Sequence, residues 1–418
     1  MKILIIGSGG REHAIAWKIA KNTEVERIYC APGNGGIELL SKGINVNITK
    51  IEDLVNFAEN EKIDLTIVGS EELLVAGIVD RFQEKNLKIF GPNKEAALLE
   101  GSKAYAKDFM KKYGIKTAKY EIFEDVTKAK EYIEKNEFPI VIKASGLAAG
   151  KGVIICFNYD EAIKALNDLM INKVFKEAGE KIVIEEYLEG VEASILSITD
   201  SKVIVPFISA KDHKKIGENE TGLNTGGMGT IAPNPYVTKE VYDEFLENIL
   251  TPTLEGIKKE NMDFAGFIFF GLMITKKGVY LLEYNMRLGD PETQVVLPLL
   301  KSDFLTILKS ALDKNLENQV IEWEKNKSAC CVVLASGGYP TSYKKGYEIN
   351  IEDGIKNSII FVAGATKKDG MLFTNGGRVL NVVTLGDTLD MAREKVYEDI
   401  NYISFKDMYY RKDIGKIR

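Results

Sequence analysis

Residues 2–6 are an unbroken apolar run that halts at Gly7-Ser8-Gly9-Gly10-Arg11-Glu12-His13, and a helical pattern follows from Ala14 to Lys21. A run without polar alternation suits a strand covered on both faces, as in a parallel sheet flanked by helices. The alternation continues with a strand at Arg27–Ala31 that ends in Pro32-Gly33-Asn34. Thr49 and Glu52, at capping-box spacing, open a helix to about Asn60, and strands follow at Leu65–Val68 and Leu87–Phe90 with a helix between them. This predicts a doubly wound parallel sheet. Its ligand edge would lie at the strand C-termini, where Gly7, Pro32-Gly33-Asn34, Gly69 and Gly91-Pro92 all fall. The glycine turn departs from a dinucleotide fingerprint, because Glu12 takes its last position and no acid follows the second strand to bind a ribose hydroxyl. The start of the first helix still suits an anion, through exposed amides and the helix dipole. A tight turn without ligand is the plainer alternative.

Composition narrows the class. The 418 residues suit about three domains. A net charge of −6 argues against a nucleic-acid surface. The four cysteines, Cys30, Cys156, Cys330 and Cys331, form no C-x-x-C, which points to a reducing cytoplasm and no structural zinc. Two histidines, His13 and His213, give little support to a histidine metal site or a Ser-His-Asp triad. The opening run reads as a first strand, not a signal peptide, and no apolar run approaches the ~20 residues of a membrane span.

The middle of the chain carries the chemistry. Gly101-Ser102-Lys103 starts a helix capped by Ser102 and stopped at Gly114. A strand at Lys119–Phe123 and a helix at Thr127–Asn136 lead to Pro139–Cys156. There two apolar runs, Ile140–Ile142 and Val153–Ile155, flank a small-residue loop with Lys143 and Lys151 at its ends. Gly146, Gly150 and Gly152 let backbone approach a ligand, and consecutive amides suit phosphate oxygens. The glycine spacing fails a Walker A motif and a strand follows, so the loop reads as a phosphate cover within a hairpin. A flexible turn with two solvated lysines is the alternative. After a helix at Asp160–Ile171, strand Lys181–Leu188 places Glu185 and Tyr187 on one face, Glu186 and Leu188 on the other. Strands at Gly190–Ile198 and Lys202–Phe207 precede Ser209–Asn234, which reads as a long irregular substrate loop containing Lys211-Asp212-His213-Lys214-Lys215 and Asn224-Thr225-Gly226-Gly227-Met228-Gly229. Strands Ala265–Ile274 and Val279–Asn285 follow. Glu283 and Asn285 share a face and offer hard oxygen ligands suited to magnesium, and Arg287 can fork onto a carboxylate. A helix at Ser302–Leu312 closes the unit. The last region shows strands at Ala329–Ala335, Ile359–Ala363 and Val379–Leu385 and a helix at Leu389–Asn401.

A lysine on a strand, a small-residue loop, a strand ending in two glutamates and a Glu-x-Asn resemble the ATP-grasp superfamily. Gly9-Gly10-Arg11-Glu12-His13, Ala31-Pro32-Gly33-Asn34, Gly101-Ser102-Lys103, Gly146–Gly152, Asn224–Gly229, Gly289-Asp290-Pro291-Glu292, Asn375–Arg378 and Arg411-Lys412-Asp413-Ile414-Gly415 resemble the glycinamide ribonucleotide synthetase (phosphoribosylamine–glycine ligase) family within it. Ser145, Ser70 and Leu73 depart from that family's frequent residues. The resemblance implies an N-terminal Rossmann-like domain at 1–101, an ATP-grasp domain at 102–326 with a nucleotide-covering part at about 119–190, and a small mixed β-rich domain at 327–418. It implies a cytoplasmic enzyme, expected to act as a monomer, that joins glycine to 5-phosphoribosylamine with ATP and Mg2+ or Mn2+. Another ATP-grasp carboxylate–amine ligase is the nearest alternative; a nicotinamide oxidoreductase and a non-catalytic nucleotide sensor are more distant ones. By resemblance Lys103 and Lys143 hold ATP phosphates under the loop of Gly146, Gly150, Lys151 and Gly152. Glu185, Glu186, Tyr187 and Leu188 meet adenine, and Glu192 meets the ribose. Glu283 and Asn285 hold metal. Arg287 is expected at the glycine carboxylate. Gly9, Gly10, Arg11, Asp212, Asn224, Thr225, Gly226, Gly227, Met228 and Asp290 are expected at phosphoribosylamine, and Arg287, Lys143 and Asp290 are the catalytic candidates.

Overall fold

A computed structural model describes residues 1–148 and 152–417. The first sheet holds Lys2–Gly7, Arg27–Pro32, Gly43–Asn45, Leu65–Val68 and Ile89–Phe90, with Lys2–Gly7 at its centre and every pairing parallel. Ile3 and Ile5 enter one core, Leu4 and Ile6 another, as a run buried on both faces requires. The doubly wound expectation is met. Two details differ. Helix Ile51–Asn60 starts from Lys50 without a side-chain cap, so Thr49 and Glu52 form no capping box; Glu52 pairs with Arg81 instead. Two helices, Glu71–Val75 and Ile78–Glu84, replace the single one expected, because Gly77 between them turns left-handed at φ +88°.

The hairpin at 140–156 belongs to a small antiparallel sheet, in spatial order Tyr120–Phe123, Ile182–Glu186, Ile140–Ala144, Val153–Cys156. Helices Val126–Ile133 and Tyr159–Leu166 cover it around a separate core that includes Ala129, Ile133, Ile142, Leu166 and Ile184.

Among the described residues nine strands form the largest sheet. Its path runs from Gly278–Asn285 through Gly266–Thr275, Val191–Thr199, Ile204–Asp212, Gly229–Ala232, Ser328–Ser336 and Arg378–Gly386 to Ser358–Val362, with Met408–Tyr409 also on Ser328–Ser336. The sheet therefore crosses from the central into the C-terminal part of the chain without a break. The expectation of an irregular stretch at 209–234 is corrected: Ile204–Asp212 continues as strand, Lys215–Gly217 and Thr221–Asn224 form a hairpin, and Gly229–Ala232 joins the large sheet. Its partner Ser328–Ser336 lies far along the chain, so local patterning could not reveal the pairing. The sequence reading also gave no helix to Lys94–Gly101, Lys239–Phe245, Thr251–Lys259 or Thr293–Leu299. Pro252 sits inside one continuous helical run, Lys239 to Lys259, just after the wider turn Leu246–Leu250, and Pro298 lies near the end of its helix.

Candidate functional site

The small sheet meets the body of the protein at a buried charge cluster. Lys143, on Ile140–Ala144, lies 2.9 Å from Glu185 Oε1 on the neighbouring strand. Lys107, on helix Lys103–Lys112 of the body, lies 3.0 Å from Glu185 Oε2, and its Nζ donates to Thr117 Oγ1 at 2.7 Å. One carboxylate thus faces two ammonium groups. Burial opposes charge on Glu185, but Lys143 and Lys107 outweigh it and hold its carboxyl below the ordinary range. The surplus proton is the lysine's: burial pushes Lys107 down to about 8 despite Glu185. Glu186, the next residue, points outward and accepts from the Lys119 amide, while Tyr187 and Leu188 lead away from the strand. Ser102 caps the body helix through the Tyr105 amide, and Ser145 accepts from the Lys103 amide through its carbonyl and from the Ala104 amide through its hydroxyl. The residue that departs from the family pattern therefore fastens the loop to the helix that carries Lys103 and Lys107. A Cβ on Gly146 would stand 2.7 Å from that of Ala178, and one on Gly152 2.7 Å from that of Ala148, so both positions are closed to larger residues. Gly150 and Lys151 lie outside the described residues.

Strand Gly278–Asn285 carries the oxygen ligands. Its alternation breaks at Leu282, which bulges between Glu283, opposite Gly271, and Leu281, opposite Leu272. The bulge keeps Val279, Leu281 and Tyr284 in the core and turns Glu283 and Asn285 together to the other face. Among the described residues neither side chain has a hydrogen bond or ion pair. Burial opposes charge on Glu283, but the fields of Lys214, Lys103, Lys143 and Arg287 prevail and keep it ionised. Lys103 is itself pushed down by burial, with Glu283 the largest opposing influence. Lys214 sits 2.6 Å from Glu192 on Val191–Thr199, and its ammonium is held protonated against burial by Glu192, Glu283 and Asp212. An ionised carboxylate and an amide oxygen, both unpartnered beside a set of cations, fit a divalent ion completed by phosphate oxygens and water. No cluster of three or more metal-ligating side chains exists among the described residues, so the protein's share would be these two.

A second cluster gathers where all three parts of the chain meet. At the start of helix Gly10–Ile19 the Gly9 amide donates to Glu12 at 2.6 Å and the Arg11 amide to Asp290 at 3.3 Å. Those carboxylates occupy the helix start that the sequence offered to an anion. The Arg11 guanidinium binds Glu12 and the Leu288 carbonyl. Asp290 is held ionised against burial by Arg378 and Arg11, and accepts from Gln294 at 2.8 Å. Arg287 lies 3.1 Å from Glu100 and 3.4 Å from Glu71, and its buried Nε has no aligned acceptor among the described residues. Burial raises Glu100, which also accepts from the Met286 amide.

The Asn224–Gly229 segment closes this side. Arg378 Nη1 donates to the Gly226 carbonyl and, at 2.9 Å, to that of Asp290; the Gly226 amide donates to Tyr339 Oη at 2.9 Å. The Thr225 amide donates to the Lys214 carbonyl, Met228 is buried, and Asn224 ends the hairpin exposed. Burial raises both buried carboxyls, Asp212 and Glu292, with Glu292 pushing Asp212 further up, and Asp212 Oδ1 has no hydrogen bond among the described residues. Sequence reasoning assigned no role to Lys107, Glu71, Glu100, Lys214, Glu292, Tyr339 or Arg378. Only Lys214, Glu292 and Arg378 stood in segments singled out beforehand.

Three matches to a family description together span nearly the whole chain: the N domain of phosphoribosylglycinamide synthetase over residues 1–100, its ATP-grasp (A) domain over 101–293 and its C domain over 329–417. A relative from Fusobacterium nucleatum named phosphoribosylamine–glycine ligase is 62% identical over 421 residues, covering 100% of this chain and 99% of that one. A crystal structure titled phosphoribosylamine–glycine ligase from Thermotoga maritima matches at TM-score 0.86 and 37% identity, over 99% of this chain and 100% of that one. The biotin carboxylase domain of a Hydrogenobacter thermophilus 2-oxoglutarate carboxylase matches at TM-score 0.75 and 16% identity, over 98% and 91%, a likeness of fold alone.

Proposed function

The chain belongs to the phosphoribosylglycinamide synthetase family, and on that membership we propose that it joins glycine to 5-phospho-D-ribosylamine with ATP, giving glycinamide ribonucleotide, ADP and phosphate in purine synthesis. A free carboxylate is a poor acyl donor, because its leaving group would be oxide. Transfer of the γ-phosphoryl group of ATP to a glycine carboxylate oxygen gives glycyl phosphate and ADP. The ribosylamine nitrogen then bonds to the acyl carbon, the carbon–oxygen bond to phosphate breaks, and the amine loses a proton.

The observation that carries this reading is the ionised Glu283, free of partners among the described residues and surrounded by Lys103, Lys143, Lys214 and Arg287. Such a set neutralises polyphosphate and holds reactants for transfer, which is most of what phosphoryl transfer asks of a protein. Lys103 and Lys143 meet the ATP phosphates beneath Gly146–Gly152. Glu185 aims Lys143 rather than spending its oxygens elsewhere, which leaves Glu186 to Leu188 for adenine and Glu192, with Lys214, for the ribose. Glu283 and Asn285 would hold Mg2+ or Mn2+, which would offset charge on the phosphate oxygens. Arg287, whose Nε lies 3.4 Å from Glu71 without an aligned hydrogen bond, meets the glycine carboxylate beside Glu100 and Glu71. Gly9–Arg11, Asp212, Asn224–Met228 and Asp290 face phosphoribosylamine. The three family matches, over 1–100, 101–293 and 329–417, support a division into 1–101, 102–326 and 327–418, with the 119–190 part holding a core of its own. We expect a monomer in the cytoplasm without nucleic-acid or membrane partner; among the described residues no helix is long and apolar enough to cross a membrane.

The test is product mass after incubation with magnesium ATP, labelled glycine and phosphoribosylamine made in situ. Labelled glycinamide ribonucleotide with ADP and phosphate is the expected result. ATP binding without that product would shift the reading to a ligase of another acid or amine.

A further inference from the structure

One motif takes no part in the chemistry above: Arg411-Lys412-Asp413-Ile414-Gly415. Arg411 is 1% exposed although it lies near the end of the described chain. Its Nε and Nη2 fork onto the two oxygens of Asp413 at 2.8 and 2.9 Å, its Nη2 also reaches Glu220 at 2.8 Å, and its Nη1 donates to the Lys215 carbonyl at 2.9 Å. Asp413 Oδ2 accepts from the Asn219 amide at 2.8 Å. Tyr409 Oη donates to the Ile216 carbonyl at 2.7 Å, and the Lys412 amide to Glu218 at 3.2 Å. Four neighbouring residues of the tail thus grip Lys215 to Glu220.

Beyond its own strand pairing, the gripped element packs Ile216 on the C-terminal core, and its far end faces outward. Glu218 to Asn224 are exposed, and the turn at Asn219 and Glu220 has both residues left-handed, at φ +60° and +57°. The tail, in contrast, is anchored behind by helix Leu389–Ile400: Tyr397 Oη donates to the Arg411 carbonyl at 2.7 Å, and Arg393 to the carbonyls of Ile414 and Lys412 at 3.0 Å each. The grip continues inward. The Gly415 amide meets His213 Nε2 at 3.4 Å, while the other ring nitrogen lies 3.1 Å from the Gly229 carbonyl. His213 stands between Asp212 and Lys214, and strand alternation turns those two to the opposite face, toward Glu292 and Glu192. The Lys214 carbonyl in turn receives both the amide and the hydroxyl of Thr225 at 2.8 Å.

We propose that Arg411 and Asp413 are positioning residues for the ligation: they latch the 215–224 hairpin from outside and so set Lys214 and the Thr225–Met228 segment against phosphoribosylamine. The substrate part of this rests on the ligation reading above; the latch does not. A lysine cannot reproduce the planar fork that reaches Asp413, Glu220 and the Lys215 carbonyl at once.

The experiment compares Arg411→Lys, Arg411→Met, Asp413→Asn and the control Lys412→Ala by steady-state kinetics and by hydrogen exchange of the intact chain. Arg411→Met should raise KM for phosphoribosylamine by about tenfold, the loss of roughly one charge-assisted hydrogen bond, and leave KM for ATP within about twofold. Arg411→Lys, which keeps charge and fills the site, should restore part of that loss, and Lys412→Ala should match the parent. Amide exchange across 215–228 should quicken in Arg411→Met and Asp413→Asn while the first sheet is unchanged. Unchanged exchange across 215–228 would overturn the latch whatever the substrate. Equal increases in all three KM values would show general damage and would also overturn it. A parent enzyme that makes no glycinamide ribonucleotide would sink the ligation reading alone, because the exchange measurement needs no substrate.

Discussion

Glu185→Gln isolates the buried charge cluster. It leaves the ammonium groups of Lys107 and Lys143, with side chains only 2% and 8% exposed, without the carboxylate that pairs with both. Removing one partner of a buried pair costs about 3–5 kcal/mol, chiefly because the other charge stays buried. Lys107 comes from the body helix and Glu185 from the small sheet, so the change should also loosen the seating of that sheet and raise KM for ATP. The pH dependence follows from Lys107. Its pKa is about 8 folded against the ordinary 10.5, so the unfolded chain binds more protons between those values. Parent stability should therefore rise with pH across that window, by at most about 3 kcal/mol for the 2.5-unit shift. Without Glu185 the folded pKa falls further, the rise begins at lower pH, and the gap between variant and parent narrows as pH increases. Urea unfolding from pH 7 to 10 measures this, with hydrogen exchange at 140–144 and 182–186 showing whether the loss is local. Adding Lys107→Met to Glu185→Gln should recover most of the cost. A single variant within about 1 kcal/mol of the parent at pH 7, or a double variant no better than the single, would refute the idea that charge count governs this cluster.

Glu283→Gln should weaken Mn2+ binding in the presence of ADP by about tenfold or more, read by titration without turnover, since it removes the ionised ligand of the pair. Unaltered Mn2+ affinity would reassign the metal. Arg287→Lys should raise KM for glycine about tenfold with KM for ATP little changed, because an ammonium offers neither the fork nor the Nε donor; an unaltered glycine KM would move the carboxylate elsewhere. Burial pushes both His13 and His213 down to about 4, so each is neutral when folded. The unfolded chain binds the extra protons between about 4 and 6.5, and stability should fall as pH drops through that window, by up to about 3 kcal/mol for each ring. His13→Gln should flatten part of that fall in an acid-unfolding series, and an identical acid profile would count against it.

The parallel sheet could be read from its apolar runs because each of its strands is buried on both faces, a property local to the run. The positions of Lys143, Glu185, Glu283 and Asn285 could be read too, since period-two alternation assigns a strand residue its face without knowledge of the partner. What alternation could not supply was the partner. Glu185 was placed toward adenine, yet its oxygens go to Lys107 and Lys143, and Lys107 sits on a helix whose orientation depends on tertiary packing. Glu100, Glu71 and Arg378 come from three separate regions and acquire meaning only around Arg287 and Asp290. The stretch at 209–234 looked irregular because its glycines obscure a short local hairpin, and because Gly229–Ala232 takes a partner, Ser328–Ser336, far along the chain. The bulge at Leu282 is equally silent in sequence, though it alone reconciles Leu281 in the core with Glu283 outside it.

The sheet that runs from Gly229–Ala232 onto Ser328–Ser336 has a consequence for any attempt to handle the chain in pieces. A product stopped at residue 326 would keep Gly229–Ala232, four buried residues, as an uncapped rim of amides and carbonyls. A product beginning at 327 would bare the matching rim of Ser328–Ser336, whose interior, Ala329 to Ala335, is wholly apolar and free of charge. Each half would carry an adhesive margin shaped for the other, and exposed margins of that kind recruit whatever strand they meet. Expressed apart, the halves should precipitate; expressed together, they should find each other and stay in solution.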